Sequence, residues 1–143
     1  MSVDRYNRKQ GQEKARGSKK GPKVLLSFEY LDIKQGQTQK DWADNKYLLK
    51  LNEMGARLNK LTVSQALADQ LIIQYDTTNS KKWNKHNMPK GSKWNYPTTV
   101  NSPDIPWSKI ELGRKLRVLG YLEANVFYVV FLDKDHKFYP SSA

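Results

Sequence analysis

Residues 116–132 read LRVLGYLEANVFYVVFL, and their pattern decides the architecture. Two runs rich in β-formers, Leu116–Leu122 and Val126–Leu132, flank Glu123-Ala124-Asn125, the pattern of an antiparallel hairpin closed by a short turn. With two residues at the centre of that turn, Tyr121 lies opposite Tyr128. In this register Val118, Leu122, Phe127, Val129 and Phe131 share one face, which reads as core. Arg117, Leu119, Tyr121, Tyr128 and Val130 share the other, which reads as a polar-aromatic surface, or as the ordinary occupants of a half-solvated strand face. A turn with three central residues would mix the two faces.

Outward from the hairpin, Val24–Asp32 (VLLSFEYLD) has the composition of a strand, with Leu26, Phe28 and Tyr30 on one side. Thr38 or Asp41 then caps a helix whose apolar residues Tyr47, Leu51, Met54, Leu58 and Leu61 recur at steps of four and three, the stripe that faces a core. Gly55 weakens that helix unless it lets a neighbouring element approach closely. Thr62-Val63-Ser64-Gln65 has the form of a capping box opening a second, shorter helix from Val63 to about Leu71. The two helices form an antiparallel hairpin. Leu71–Tyr75 is compatible with the end of that helix or the start of a strand. The expected class is α+β: an N-terminal strand, a helical hairpin, a long basic loop and a C-terminal antiparallel β-hairpin in one small sheet, with the helices on one sheet face.

The chain has 143 residues with 25 Lys plus Arg against 14 Asp plus Glu, a net charge of +11. Only 38% of residues are hydrophobic, but four Trp, eight Tyr and four Phe concentrate enough bulk for one modest core. Residues 1–23 hold eight basic and two acidic side chains, +6 of the total, and so few apolar ones that a disordered basic tail is expected. Such a tail acts as a solubilising extension or a phosphate-seeking arm. Residues 24–143 form the single domain. The longest apolar run, Val126–Leu132, is far below the roughly 20 residues that span a bilayer. No secretory signal is evident in the tail. The chain has no cysteine, which removes thiol nucleophiles and thiolate metal sites and suits a reducing compartment, so a cytoplasmic location is expected.

Residues 77–109 change character: six lysines against one acid, four of the six prolines and three of the four tryptophans. Lys81, Lys82, Trp83 and Lys85, followed by Lys93 and Trp94, interleave cations with aromatic rings, the combination that tracks phosphates and stacks bases of a single strand. The competing role for the tryptophans is to anchor the loop to the sheet. After the hairpin comes Asp133-Lys134-Asp135-His136-Lys137. Its Asp-Lys-Asp reads as a solvated turn, and His136 is placed to act as a general base or phosphate ligand. The spacing of Asp133, Asp135 and His136 matches no metal motif, and neither a nucleophile elbow nor a P-loop or dinucleotide fingerprint follows a strand, so neither a metal nor a cofactor is expected.

Strand, helix pair, loop and hairpin in this order, with Arg117-Val118-Leu119-Gly120-Tyr121, Phe127-Tyr128-Val129-Val130-Phe131 and then His136-Lys137, resemble small bacterial ribonuclease toxins of the RelE and HigB kind. Those are basic α+β domains that cut messenger RNA, usually on the ribosome and without metal, with Arg, Lys, His or Tyr on a concave sheet face. The resemblance implies Arg117 as the phosphate-binding arginine, with His136 and Lys137 as the basic residues after the second strand. It leaves out the basic tail and the long loop. Metal-independent cleavage needs a base for the 2′-hydroxyl, charge stabilisation at the phosphate and an acid for the leaving oxygen; His136, Arg117 and Tyr128 are assigned these roles, with Lys137 as substitute. The expected function is an RNA-interacting basic domain acting as a metal-independent endoribonuclease toxin. The alternatives are a non-catalytic nucleic-acid-binding module and a protein-interaction module for an acidic partner such as an antitoxin.

Overall fold

The computed structural model describes residues 19–75, 94, 97 and 107–138. Along them run β1 (Leu25–Ser27), α1 (Gln39–Asp44), α2 (Tyr47–Leu58), α3 (Val63–Ala68), β2 (Ile73–Gln74), β3 (Ser108–Gly113), β4 (Leu116–Glu123) and β5 (Val126–Asp133). The strands form one mixed sheet in the order β1-β5-β4-β3-β2, with β1 parallel to β5 and the remaining pairs antiparallel. The class is α+β, one five-stranded sheet with three helices. Among the described residues no helix is long and apolar enough to cross a membrane.

β4 and β5 pair with Glu123 opposite Val126 and Tyr121 opposite Tyr128, so the turn has the two central residues Ala124 and Asn125. Ala124 takes a left-handed φ of 55°. The Asn125 side-chain amide donates to the Lys23 carbonyl and the Asn125 carbonyl accepts from Leu25 N–H, which ties the turn to the start of β1. One expectation fails here. Leu119 pairs with Phe131 but Gly120 pairs with Val129, which leaves Val130 as the extra residue of a β-bulge. Gly120 permits this close approach, because a Cβ there would stand 1.8 Å from the Tyr128 carbonyl oxygen. The bulge shifts the alternation, so Phe131 belongs to the Arg117 face rather than to the helix-covered face expected for it.

The single long helix of the sequence reading is two helices. Thr38 caps α1 through a capping box with Asp41; the helix then stops at Asn45, whose side-chain amide donates to the Asp41 carbonyl, and Lys46 turns the chain with φ 65° before α2. α3 opens with the reciprocal Thr62–Gln65 box. Leu71–Tyr75 contains β2, which pairs with Ser108 and Lys109 of β3. Those two residues therefore leave the loop assigned to 77–109 and join the sheet. Lys23 bridges Thr62, and Val24 N–H donates to the Leu61 carbonyl.

Two cores sandwich the sheet. On the helix side Trp42, Leu51, Leu58 and Ala66 bury against Ile110, Val118, Phe127, Val129 and Leu132. Gly55 lets β1 approach α2, its Cβ position lying 3.3 Å from Leu26 Cδ1. On the other side Tyr75, Trp107, Leu119, Tyr121, Val130, Phe131 and Phe138 form a second cluster, with Tyr30, Trp94 and Tyr128 partly buried against it. The face expected to be a polar-aromatic surface is thus largely interior, and Tyr121 is only 3% exposed. Large rings bury more apolar area per residue than any other side chain, so a sheet face this rich in them is covered rather than left in water.

Candidate functional site

β3, β4 and β5 bring their charged ends together on the second face. Glu111 pairs with Arg117, and Arg117 in turn pairs with Asp133, so the three adjacent strands place these side chains side by side where the β3–β4 turn meets the segment after β5. Gly113 (φ 119°) closes β3, and the turn itself is Arg114 (φ 47°) and Lys115. Arg117 Nη1 donates to the carbonyls of Arg114 at 2.6 Å and Leu116 at 3.1 Å, which fixes the guanidinium plane. Its Nε is buried without a hydrogen-bond acceptor among the described residues and stands 4.0 Å from Glu111 Oε1. The same carboxylate oxygen is 2.9 Å from Lys109 Nζ, and Lys109 also lies over the Tyr75 ring, 5.8 Å from its centroid. The side chains of Arg117 and Lys109 are 12% and 18% exposed, that of Glu111 43%.

Asp133 is read in the sequence as part of a solvated turn, and the structure buries it. Its Oδ1 accepts from the N–H groups of Asp135 and Lys137 and its Oδ2 from Phe138 N–H at 2.8 Å. Three donors on one carboxylate fold residues 134–138 back over the end of β5 onto the second face, which drives the Phe138 ring into the aromatic cluster against Trp107 and Phe131. His136 sits at the crest of this turn with φ 59° and is partly buried. Burial, and then the nearby Arg117 guanidinium, hold its imidazole below the ordinary histidine value; Lys109 adds to this, while Asp133 and Glu111 oppose it. The hydrogen bond from Lys109 holds the Glu111 carboxyl below its ordinary value, against the effect of burial. The cluster therefore combines two cations, an ionised carboxylate and an imidazole biased towards its neutral, proton-accepting form.

The residues assigned from sequence are only partly assembled. Arg117 and His136 are together. Lys137 is on the same turn, exposed, with its backbone N–H bound to Asp133. Tyr128 is elsewhere: it pairs with Tyr121, four residues along β4 from Arg117, about 13 Å at the usual rise per residue. There it stacks on Tyr121 at 5.2 Å and meets Tyr30 at 5.1 Å, so it is not beside Arg117, where the sequence reading needs it as the acid for the leaving oxygen. Trp94 packs on Phe131 at 4.9 Å and Phe138 at 6.4 Å, which commits part of its ring to the aromatic cluster. Lys81, Lys82, Trp83, Lys85 and Lys93 lie outside the described residues.

Sequence reasoning missed Lys109 and Glu111. Their signal is the Lys-x-Glu alternation of a strand whose two faces differ, hidden because Lys109 was placed in the loop. Among the described residues no group of three His, Cys, Asp or Glu is arranged to hold a metal ion. The chain matches no family model, no curated protein and no solved structure.

Proposed function

We propose that this protein is a basic RNA-interacting domain and that it cleaves single-stranded RNA without a metal, at the Lys109–Glu111–Arg117–His136 cluster. The observation that supports this most is the gathering of Arg117, Lys109 and His136 on three adjacent chain segments at one end of the sheet, fringed by Arg114 and Lys115 on one turn and Lys134 and Lys137 on the other. Cations held in low-dielectric surroundings stabilise charge on a phosphodiester. A neutral imidazole beside them suits the removal of a 2′-hydroxyl proton, which is the group that distinguishes RNA from DNA. In this reaction His136 takes the 2′-proton, the 2′-oxygen bonds to phosphorus, and the bond to the 5′-oxygen breaks as Lys137 supplies its proton, leaving a 2′,3′-cyclic phosphate and a 5′-hydroxyl. Tyr128 takes no part.

The test is incubation of the purified full chain with a labelled single-stranded RNA in the presence of EDTA, with end mapping of the products. Cleavage with cyclic phosphate ends, lost by about a hundredfold or more in His136→Ala, supports the reading. Salt-dependent binding without cleavage favours a non-catalytic nucleic-acid-binding module. The absence of both, with tight binding to an acidic polypeptide, favours a protein-interaction domain.

A further inference from the structure

The charges of the cluster show what its free state already contains. Lys109 and Arg117 face two carboxylates, but Asp133 is spent on three backbone N–H groups. Among the described residues Glu111 alone answers both cations, and it does so unequally: its Oε1 is within hydrogen-bond reach of Lys109 Nζ at 2.9 Å and beyond that reach from Arg117 Nε at 4.0 Å. Arg117 cannot close the gap, because Nη1 is fastened to the carbonyls of Arg114 and Leu116. Its Nε is left buried without an acceptor among the described residues, on the edge of the guanidinium that binds an oxyanion side-on. Of the three side chains only Glu111 is substantially exposed and able to swing into water at little cost in packing.

We infer that Glu111 is a displaceable counter-ion, standing where a backbone phosphate of single-stranded RNA docks, so that the phosphate takes over Lys109 and the free Nε edge of Arg117 while Glu111 turns out to solvent. The inference rests on the RNA reading above and adds to it a built-in competitor that weakens anion binding in the free protein. A phosphodiester fits the seat better than a second carboxylate because its two non-bridging oxygens are directed at separate donors, one for Nε and one for Lys109, whereas Glu111 is held by its own backbone at the Lys109 side.

The experiment measures the affinity of the full chain for a fluorescent oligouridylate at constant ionic strength, by anisotropy, for wild type, Glu111→Gln, Arg117→Lys and Glu123→Gln. The Arg117 Nε–H resonance of the 15N-labelled protein is followed in parallel. Glu123 lies at the far end of β4 from Arg117, so its variant measures what loss of one negative charge does in general. Glu111→Gln is expected to bind about three- to tenfold more tightly than Glu123→Gln, and Arg117→Lys about tenfold more weakly than wild type. The Nε–H resonance should shift on adding the dinucleotide UpU. Because Arg117→Lys also removes a tie to the β3–β4 turn, the rim variant Glu111→Gln carries the decision should Arg117→Lys fail to fold. Equal affinities for Glu111→Gln and Glu123→Gln, with RNA still bound by wild type, overturn the counter-ion role alone. An oligouridylate that does not bind wild type at all overturns the RNA reading itself. A polyglutamate peptide that shifts Arg117 Nε–H when UpU does not overturns the proposed occupant in favour of an acidic protein segment.

Discussion

Replacing Asp133 by Asn keeps the shape of the side chain and removes its charge and one of its acceptors. In the native turn Oδ2 receives Phe138 N–H at 2.8 Å, while Oδ1 receives Lys137 N–H at 2.9 Å and Asp135 N–H at 3.3 Å, all at a residue with no exposed surface. Asparagine accepts through one oxygen only. Oriented to keep Lys137 and Asp135, it turns its NH2 group against Phe138 N–H, donor against donor in a dry site; flipped, it loses the other two bonds. A hydrogen bond to a charged acceptor contributes about 1.5–3 kcal/mol and a stranded buried donor costs a further 1–3 kcal/mol, so the loss should be about 3–5 kcal/mol. That is a large part of the 5–15 kcal/mol typical of a domain. Guanidinium unfolding followed by tryptophan fluorescence measures it, and hydrogen exchange at Phe138 N–H locates it, because Phe138 is the ring that the turn delivers to Trp107, Phe131 and Tyr75. Asp135→Asn is the control: among the described residues that carboxylate makes only a surface ion pair with Lys134 at 3.3 Å, and its loss should stay within about 0.5 kcal/mol. If Asp133→Asn unfolds at the same denaturant concentration as Asp135→Asn with Phe138 N–H still protected, the carboxylate does not hold the turn and the placement of His136 needs another cause.

Gly120→Ala should cost about 3 kcal/mol or more despite the better intrinsic strand propensity of alanine, since its Cβ meets the Tyr128 carbonyl at 1.8 Å and the bulge has to open; thermal unfolding checks this, and an unchanged Tm refutes it. Thr62→Ala removes the acceptor for Gln65 N–H and should cost about 1 kcal/mol, read as a small drop in the same assay. His136 is held below its ordinary value by burial and by Arg117, so the unfolded chain takes up that proton more readily than the folded one, and stability should decline as pH falls from about 7 towards 5. His136→Gln should flatten that slope, and a slope identical to wild type would place the titrating group elsewhere.

Local chemistry made part of this fold legible in the sequence. The β4–β5 hairpin follows from β-branched and aromatic runs around a polar turn, and α1 and α3 follow from Thr38 and Thr62 with acceptors three residues on. What stayed hidden depends on contacts between distant segments. The break between α1 and α2 falls at Asn45-Lys46, where the apolar spacing continues and no glycine marks the left-handed Lys46. Gly120 in mid-strand is a recognised sign of a bulge, yet only the close Tyr128 carbonyl shows that it moves Phe131 to the other face. β3 begins inside a stretch rich in proline and lysine and is a strand because β2 and β4 supply partners on both sides. The candidate site suffered most. Alternation says which residues share a face but not how far apart they lie along it, so Tyr128 was grouped with Arg117, while Lys109 and Glu111, adjacent only across strands, were left out.

The second face explains why charges this poorly solvated are present. Its middle is filled by Phe131, Phe138, Trp107 and Tyr75, and this apolar mass excludes water from the flank of Lys109 and Arg117. Cations in that setting interact more strongly with any anion than they would in bulk water, and they cost stability unless a negative group stands beside them. With Asp133 engaged by backbone donors, Glu111 meets that need. In the counter-ion role inferred above, its removal has two effects of opposite sign: the folded protein loses the partner of two poorly hydrated cations and becomes less stable, while an incoming phosphate would meet no competitor and would bind more tightly. A merely structural ion pair predicts only the first effect, so a Glu111→Gln protein that melts lower in buffer and regains more stability than wild type on adding oligouridylate separates the two roles in one pair of melting curves.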